Sequence, residues 1–369
     1  MELTDHAGVI HLHSAYSFDG RAPLAEIISA ARQNGLAFLL LTDHATLQAR
    51  DEGFEGWHDG VLVVVGEEIA PRFNHYLAFG LKEPASTLQD SPDLAPQSYI
   101  DRVRERGGLG FIAHPDHEGT ELFHVKHYPW TDWRVAGYTG LGIWDFMTDW
   151  QGSLSGRLRA VLSYAFPAFF LRGPSPKTLS RWDRLTRERR VVGIGELDNH
   201  DSPKRLLGIT LSVFSFRRAF GLIRTHVLTE GPLSGNSGED IAALLDALKR
   251  GRAYVSLDHF RPASGFSLIL TEQGRSATMG DEFPLDHSAE LAVRVPHRAR
   301  LRLIRNGALF HETTGTELSI AIGEPGVYRA EAELTVLGRH RPWIFSNPVY
   351  VTKPLCPPGH CEGHSAEAI

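Results

Sequence analysis

Cysteine is nearly absent from this chain, which has two in 369 residues. Both, Cys356 and Cys361, lie in a segment rich in proline, glycine and histidine near the end of the sequence. A disulfide framework is therefore excluded as the support of this fold. The last segment could bind a stray metal ion, but it lacks the scaffold of a zinc ribbon. We expect residues 354–369 to form a disordered tail.

Long apolar runs are also missing. The strongest candidate, Leu158 to Leu171, is interrupted by Arg159, Ser163 and Pro167 and is too short to cross a bilayer. The residues after Met1 show no basic stretch leading into an apolar one, which is the pattern of a secretory signal. We therefore expect a soluble cytoplasmic protein without a membrane partner.

Neither sign of charge dominates, since 38 Lys and Arg face 44 Asp and Glu for a formal net charge of −6. A mildly acidic chain argues against general nucleic-acid binding, although a cationic cleft around metal ions could still take a small anionic substrate. The composition leaves the oligomeric state open. Histidine, by contrast, is abundant, with 19 residues, and metal binding is one use of such a supply.

Short apolar runs alternate with helical patterns in the first two thirds of the chain. Continuous runs, typical of buried strands, occupy residues 37–41, 61–65, 109–112, 141–144 and 191–194. Helices are predicted over residues 23–34, 96–106 and 179–190. The alternation predicts a parallel sheet, either open and doubly wound or closed into a barrel.

The pattern changes beyond about residue 260, and 369 residues are enough for two domains. Short, partly alternating strands are predicted over residues 266–270, 290–295, 300–305, 318–322, 327–336 and 348–351. Asn306-Gly307 predicts a hairpin turn, and a helix over 239–249 ends at Gly251. We predict one domain over residues 1–258 and a small all-β, sandwich-like domain over residues 262–353.

Potential metal ligands follow several of the apolar runs. His11 and His13 stand at i and i+2, which in a strand point to one face, and Asp198 and His200 repeat this spacing. Taken singly, each residue has an ordinary explanation, as Asp19 does in a turn. The other candidates are His44, Glu68, His75 and His114. Ligands from so many strand ends converge more readily at the rim of a barrel than on an open sheet, which favours a barrel.

Six segments carry a family resemblance: HLHSAYSFDG, TDH, GEE, NHYLAFG, AHP and LDNH. Over roughly residues 8–205, their order and spacing resemble those of the polymerase and histidinol phosphatase (PHP) superfamily. The resemblance implies an α/β fold, a distorted (β/α)7 TIM-like barrel, and two to three divalent metal ions. It implies nine metal ligands, namely His11, His13, Asp19, His44, Glu68, His75, His114, Asp198 and His200.

The resemblance also indicates catalytic roles for Asp19, Glu68 and His200. Glu68 rather than Glu67 matches the family's glycine-any-glutamate pattern and would bridge two ions. Nitrogen and oxygen ligands without cysteine suit Zn²⁺, Mn²⁺ or Fe²⁺. Two such ions about 3.5–4 Å apart can share a hydroxide that attacks phosphorus.

We therefore expect a metal-dependent phosphoesterase that hydrolyses a small phosphorylated metabolite or nucleotide at a trinuclear centre. The alternative is hydrolysis of carboxylic ester, carbamate or amide bonds by the same centre. A third hypothesis, a metal-loaded scaffold whose β-domain binds a partner, is disfavoured because the ligand set is complete.

Residues 224–351 resemble, more loosely, a carbaryl-hydrolase-like metallohydrolase branch of the same superfamily, through THVLTEGPLSG, GRAYVSLDH, MGDE and PWIFSNPVYV. One residue departs from the commoner family pattern near the last ligands: Glu196 either adds negative charge next to the site or faces away from it. Asp43 and Asn199 could orient ligating histidines, or they could be ordinary turn and cap residues.

Cations that could bind a substrate phosphate are the remaining candidates. The best placed in the sequence are Arg172, Lys204 and Arg205. The aromatic stretch over residues 164–170 could form an apolar lid over the cleft, or it could belong to the core.

Overall fold

The computed structural model describes residues 3–88, 94–123, 125–201, 203–206 and 209–354, without the side chains of residues 123, 203–206 and 209–211. The tail predicted over residues 354–369 therefore lies, apart from its first residue, outside the described part of the chain. Among the described helices, none combines the length and the apolar character needed to cross a membrane.

The first part of the chain alternates strands with helices, as predicted, although the ends of most elements are shifted. Its strands are β1 (Leu3–Ile10), β2 (Phe38–His44), β3 (Gly56–His58), β4 (Val61–Ile69), β5 (Tyr76–Phe79), β6 (Leu109–Ile112), β7 (Gly140–Asp145), β8 (Val192–Glu196), β9 (Pro203–Leu206), β10 (Ile209–Ser212), β11 (Ile223–Glu230) and β12 (Ala253–Leu257). Its helices are α1 (Leu24–Gln33), α2 (Gln48–Asp51), α3 (Pro96–Glu105), α4 (Phe146–Gly152), α5 (Arg157–Ala165), α6 (Pro176–Glu188), α7 (Phe216–Ala219) and α8 (Ser237–Arg250), with short 3-10 helices at Glu121–Phe123 and Pro167–Phe169.

A mixed sheet runs through this part of the chain. Strands β1, β2 and β4 pair in parallel, β5 is antiparallel to both β4 and β6, and β6, β7 and β8 pair in parallel. Every residue of β2 and β4 is buried, which explains why their apolar runs are continuous rather than alternating. Helix α1 buries one apolar stripe, including Leu24, Ile27 and Ile28, against the same core.

The two ends of this sheet meet beyond β8. The Leu197 amide donates a hydrogen bond to the Ile10 carbonyl, and the His13 amide donates to the Asn199 carbonyl, both at 3.0 Å. Earlier residues of β1 pair instead with β11, in antiparallel register. The fold is thus a mixed α/β fold with a large sheet. A closed TIM-like barrel is not established, because β1 and β8 share these end contacts rather than a continuous ladder.

The second part of the chain consists of strands, as predicted, and nearly all of them pair in antiparallel register. They are β13 (Ser267–Glu272), β14 (Arg275–Thr278), β15 (Glu282–Pro284), β16 (Ala289–Arg305), β17 (Ala308–Ile322), β18 (Gly326–Val336), β19 (Arg339–Ser346) and β20 (Val349–Thr352); only β15 and β20 pair in parallel. The strands predicted over 290–295 and 300–305 are one strand, β16, because a register shift between Arg294 and Ala299 lets it continue through the break in its pattern. The predicted hairpin turn is present, with positive φ angles of 52° at Asn306 and 86° at Gly307.

Strands from both parts of the chain join into one sheet. Strand β12 pairs in antiparallel register with β19. The Asn347 side chain accepts a hydrogen bond from the Gly193 amide at 2.7 Å and donates one to the Gly193 carbonyl at 2.9 Å. The buried Arg329 guanidinium forms two hydrogen bonds to Asp183 of α6, at 2.6 and 2.9 Å. These contacts dock the β-rich part against the first part.

A buried polar cluster lies where β1, β11 and β12 meet. The His226 ring has no solvent exposure, and its Nδ1 lies 2.8 Å from Asp5 Oδ1 while its Nε2 lies 3.6 Å from Asp258 Oδ2. The Tyr254 hydroxyl donates to Asp5 Oδ2 at 2.6 Å, and its ring stacks on His226. Burial alone would lower the pKa of His226, but the carboxylates on both sides outweigh it and raise that pKa above its ordinary value.

Candidate metal centre

The nine candidate ligands come from the same edge of the sheet. His11, His13 and Asp19 follow β1, His44 ends β2, Glu68 lies near the end of β4, His114 follows β6, and Asp198 and His200 follow β8. His75 instead precedes β5, but β5 runs antiparallel to its neighbours, so its start lies at that edge too. The structure thus brings all nine residues together.

The first group of ligand atoms surrounds one carboxylate oxygen of Glu68. His11 Nε2 and His13 Nε2 each lie 3.1 Å from Glu68 Oε2, and Asp198 Oδ1 lies 3.4 Å from His11 Nε2 and 3.6 Å from His13 Nε2. The four ligand atoms lie within 4.8 Å of one another. Both histidine side chains are fully buried, so this group forms the floor of the site.

A second group lies toward the open side. Asp19 Oδ2 is 3.1 Å from His44 Nε2 and 3.2 Å from His200 Nε2, and His13 completes the set. The rings of His13 and His200 stack with their centroids 4.1 Å apart. The Asp19 side chain is 33% exposed and that of His200 is 23% exposed, whereas Glu68 is buried. A molecule that enters from solvent therefore meets Asp19 and His200 first.

The third group uses the other oxygen of Glu68. His75 Nδ1 lies 2.7 Å from Glu68 Oε1, and His114 Nε2 lies 3.5 Å from the same atom. Glu68 thus belongs to two groups through different oxygens, and His13 also belongs to two. This sharing is the geometry expected of residues that bridge neighbouring ions.

The chemistry of the donor atoms fits bound cations. The buried nitrogens His13 Nε2 and His44 Nδ1 lie 3.1 and 3.5 Å from Glu68 Oε2, but the angles are wrong for a hydrogen bond and neither has another hydrogen-bond partner among the described residues. Buried polar atoms without partners are costly, and a metal ion would satisfy nitrogens aimed at the cluster. The donor set of imidazole nitrogens and carboxylate oxygens suits Zn²⁺, Mn²⁺ or Fe²⁺.

The electrostatics of the cluster couple its histidines to its carboxylates. Burial would raise the pKa of Glu68, but the charges of His11, His44 and His75 hold it well below its ordinary value. Burial opposes the charged form of His200 as well, yet the hydrogen bond to Asp19 and the nearby carboxylates raise its pKa to about 9. Concentrated charge of this kind at a cleft is typical of functional sites.

The backbone at several of these positions is strained. His11, His114 and Asp198 have positive φ angles of 70°, 29° and 49°. Such conformations are unfavourable for residues with a Cβ and persist where the surrounding structure enforces them, often at active sites. In this chain all three residues lie just after strands whose ends carry the candidate ligands.

Glu196 faces the cluster, which decides between the two orientations expected from the sequence. It has no solvent exposure; its Oε2 lies 2.9 Å from His11 Nδ1, and its Oε1 accepts a hydrogen bond from the His114 amide at 3.0 Å. A His11 ring that donates from Nδ1 to Glu196 would present Nε2, the nitrogen that faces Glu68, to a metal ion. A Cβ on Gly142 would collide with Glu196 Oε1, which explains the glycine in β7.

Asp43 and Asn199 support the loops rather than the histidine rings. Asp43 accepts hydrogen bonds from the Ser14 amide at 2.6 Å and the Ser14 hydroxyl at 2.7 Å, which fixes the turn after His13. Asn199 holds the His13 amide through its backbone carbonyl, while its buried side chain has no partner among the described residues.

Arg172, Lys204 and Arg205 are not brought to the cluster by any described contact. The Arg172 guanidinium is 62% exposed and lies 3.6 Å from Asp149. The side chains of Lys204 and Arg205 lie outside the described residues. A phosphate-binding role for these three residues stays a prediction.

The aromatic stretch over residues 164–170 divides between core and surface. Ala168 is buried and the Phe169 ring contacts Phe260 at 5.1 Å, but Phe166 is 58% exposed. Among the described residues, no hydrogen bond, ion pair or ring contact joins this stretch to the nine candidate ligands, and a lid over the cleft stays a prediction.

Sequence reasoning left the orientation of Glu196 open and missed Phe18. Glu196 stands at i and i+2 from Asp198, so the spacing that selects Asp198 and His200 would also have selected Glu196. Phe18 stacks on His44 with its ring centroid 4.9 Å away, and only its position beside Asp19 hinted at this.

Comparisons with known proteins agree with the motifs. Residues 10–89 match the family model described as the PHP domain. An uncharacterized protein of Methanocaldococcus jannaschii, MJ1587, is 26% identical over 145 residues, covering 32% of this chain and 81% of that protein. A protein of Thermotoga maritima named probable histidinol-phosphatase is 30% identical over 131 residues, covering 29% of this chain and 54% of that protein.

One solved structure aligns with most of this chain, but its sequence identity and its structural similarity to the chain are low. It is a two-domain protein of Bacteroides vulgatus containing a predicted PHP-like metal-dependent phosphoesterase. It is 16% identical, with a TM-score of 0.44, and the match covers 94% of this chain and 95% of that one.

Proposed function

We propose that this chain, as a PHP-domain protein, is a metal-dependent phosphoesterase that hydrolyses a small phosphorylated metabolite or nucleotide. One observation carries the proposal: three groups of ligand atoms converge on Glu68 and His13 at one edge of the sheet. Histidines and acids scattered over a surface would not form groups that have Glu68 and His13 in common.

Three ions would occupy these groups. We assign one ion to His11, His13, Glu68 and Asp198, a second to His13, Asp19, His44 and His200, and a third to Glu68, His75 and His114. The short distances between groups that share a residue support a single trinuclear centre rather than separate sites.

Bound divalent ions would supply Lewis acidity and would lower the pKa of a water molecule enough for it to ionise near neutral pH. The chain's own residues supply the rest. Glu68 holds two groups at a fixed spacing through its two oxygens, and Glu196 fixes the tautomer of His11. Asp19 and His200 line the exposed side, so we propose that the substrate is oriented there.

The charge of the site favours an anionic substrate. Asp19, Glu68 and Asp198 are the carboxylates within the three groups, and three divalent ions carry more charge than these acids neutralise. A phosphate dianion would be stabilised by that excess, whereas a neutral ester would leave much of it unused.

We also propose the architecture that frames this activity. The end contacts between β1 and β8 support a distorted (β/α)7 barrel over residues 1–258. The apolar cluster of the antiparallel strands, which also takes in Leu228 of β11 and Tyr254 of β12, supports a β-domain over residues 262–353.

The test is a hydrolysis panel on metal-loaded protein, with phosphomonoesters, phosphodiesters, carboxylic esters and carbamates compared at equal concentration. We expect phosphomonoesters to be cleaved faster than carboxylic esters, with inorganic phosphate as a competitive inhibitor. A Glu68→Gln preparation, purified in the same way, reveals any contaminating phosphatase. Efficient cleavage of carboxylic esters or carbamates without phosphatase activity, and without inhibition by phosphate, would overturn the proposal in favour of the alternative hydrolase.

A further inference from the structure

We propose that Phe18 forms a binding subsite for an aromatic ring of the substrate, an inference that rests on the proposed phosphoesterase function. Phe18 is 71% exposed, the largest exposure among the described phenylalanine side chains. Its ring stacks on His44, with centroids 4.9 Å apart and planes 20° apart. It immediately precedes Asp19, whose carboxylate is on the open side of the cluster.

The loop that carries Phe18 is held in place on both sides of the ring. The Ser17 hydroxyl donates a hydrogen bond to Asp19 Oδ1 at 2.7 Å and accepts one from the His44 amide at 3.2 Å. Ser17 itself is buried. The exposed ring is therefore an apolar surface held beside the candidate ligands, so the protein loses little conformational entropy when a ligand covers it.

The geometry indicates which chemical group fits this surface. One face of the Phe18 ring lies against His44, and the large exposure leaves the rest of the ring open to solvent. A flat ring can extend the stack, because aromatic rings prefer offset or edge contacts with centroids 4.5–7 Å apart. Asp19 is the next residue, so a phosphoryl group at the cluster and a ring on Phe18 must be joined by a short linkage. An aryl phosphate, or a phosphate close to a heteroaromatic ring, meets both conditions.

The test measures binding of uncleavable ligands, so that it does not depend on turnover. Phenylphosphonate, cyclohexylphosphonate and methylphosphonate are titrated calorimetrically into metal-loaded wild-type protein, Phe18→Ala and Phe18→Leu. Phe310→Ala is the matched control, since Phe310 is also exposed but packs against Tyr328 in the β-rich part. Metal content is measured for every preparation, because a role of Phe18 in positioning His44 would appear as metal loss.

We expect Phe18→Ala to weaken the binding of phenylphosphonate about tenfold, because both the ring stacking and the buried apolar area are lost. In Phe18→Ala, the affinity for methylphosphonate should fall less than twofold. In Phe18→Leu, the affinity for cyclohexylphosphonate should return closer to the wild-type value than the affinity for phenylphosphonate. Equal weakening of all three ligands, metal loss in Phe18→Ala, or an equal effect of Phe310→Ala would overturn the subsite. If inorganic phosphate and all three phosphonates fail to bind the metal-loaded wild type, the proposed function itself is wrong and the subsite falls with it.

Discussion

Replacing Glu196 by Gln should weaken metal binding although Glu196 is not itself a candidate metal ligand. The carboxylate of Glu196 faces two donors, His11 Nδ1 and the His114 amide, at 2.9 and 3.0 Å. A glutamine offers one oxygen and one NH₂ group, so one of the two donors would face another donor. An unpaired buried donor costs about 1–3 kcal/mol. Loss of such a partner of a metal-binding histidine typically lowers metal affinity about 10- to 100-fold.

A second substitution tests the same contact from the other side. A Cβ on Gly142 would collide with Glu196 Oε1, so Gly142→Ala must displace the Glu196 carboxylate. We expect Gly142→Ala to weaken metal binding to a similar extent. The double variant should be little worse than either single one, because residues in contact act on the same interaction and their effects do not add.

The assay is competition between the metal-free protein and a chromophoric chelator for Zn²⁺ and Mn²⁺. Glu272→Gln is the matched control, because Glu272 is a buried carboxylate in the β-rich part that accepts from the His287 and Asp286 amides. It should lower stability and leave metal affinity unchanged. Wild-type affinity in Glu196→Gln, in protein shown to be folded, would refute the orientation of His11 by Glu196.

Two further predictions concern the frame around the site. A protease that cuts the largely exposed loop over residues 259–262 should give two fragments that co-elute until denatured, because β12 pairs with β19 across the cut. Fragments that separate in native buffer would refute this. The raised pKa of His226 implies that its protonated ring stabilises the fold; this contribution is complete below about pH 6.5 and is lost as the pH rises through the pKa of the folded state. The lowered pKa values of Asp5 and Asp258 imply the opposite: their ionised carboxylates stabilise the fold above about pH 3.8, and this contribution is lost as the pH falls. His226→Gln should therefore flatten the decline of urea-unfolding free energy between pH 6.5 and alkaline pH, and an unchanged profile would show that the cluster is not coupled to folding.

Much of the site could be predicted because its residues mark strand ends in the sequence. A buried strand is a continuous apolar run, and a polar residue that ends it, such as His44 or Asp198, stands out. The edge of the sheet then gathers residues that are far apart in the chain. That His75 reaches the same edge depends on β5 running antiparallel, which its short apolar run did not reveal.

The contacts that support the site were harder to predict, because each joins residues distant in sequence. Glu196 was recognised as unusual, but its partner His11 is 185 residues away, and only the folded chain shows which way the carboxylate points. The docking of the β-rich part could not be predicted either, because Asn347 and Arg329 form hydrogen bonds with residues of the first part of the chain. A single irregular stretch, between Arg294 and Ala299, made one long strand look like two.

The metal content of the purified protein tests the central claim most directly. Protein prepared without chelators and analysed by elemental analysis and native mass spectrometry should carry two to three transition-metal ions per chain, because nine ligands form three groups that share residues. Glu68→Gln should lose at least one of these ions, since Glu68 joins two of the groups. One ion or none in the wild type, or an unchanged metal content in Glu68→Gln, would contradict the trinuclear centre.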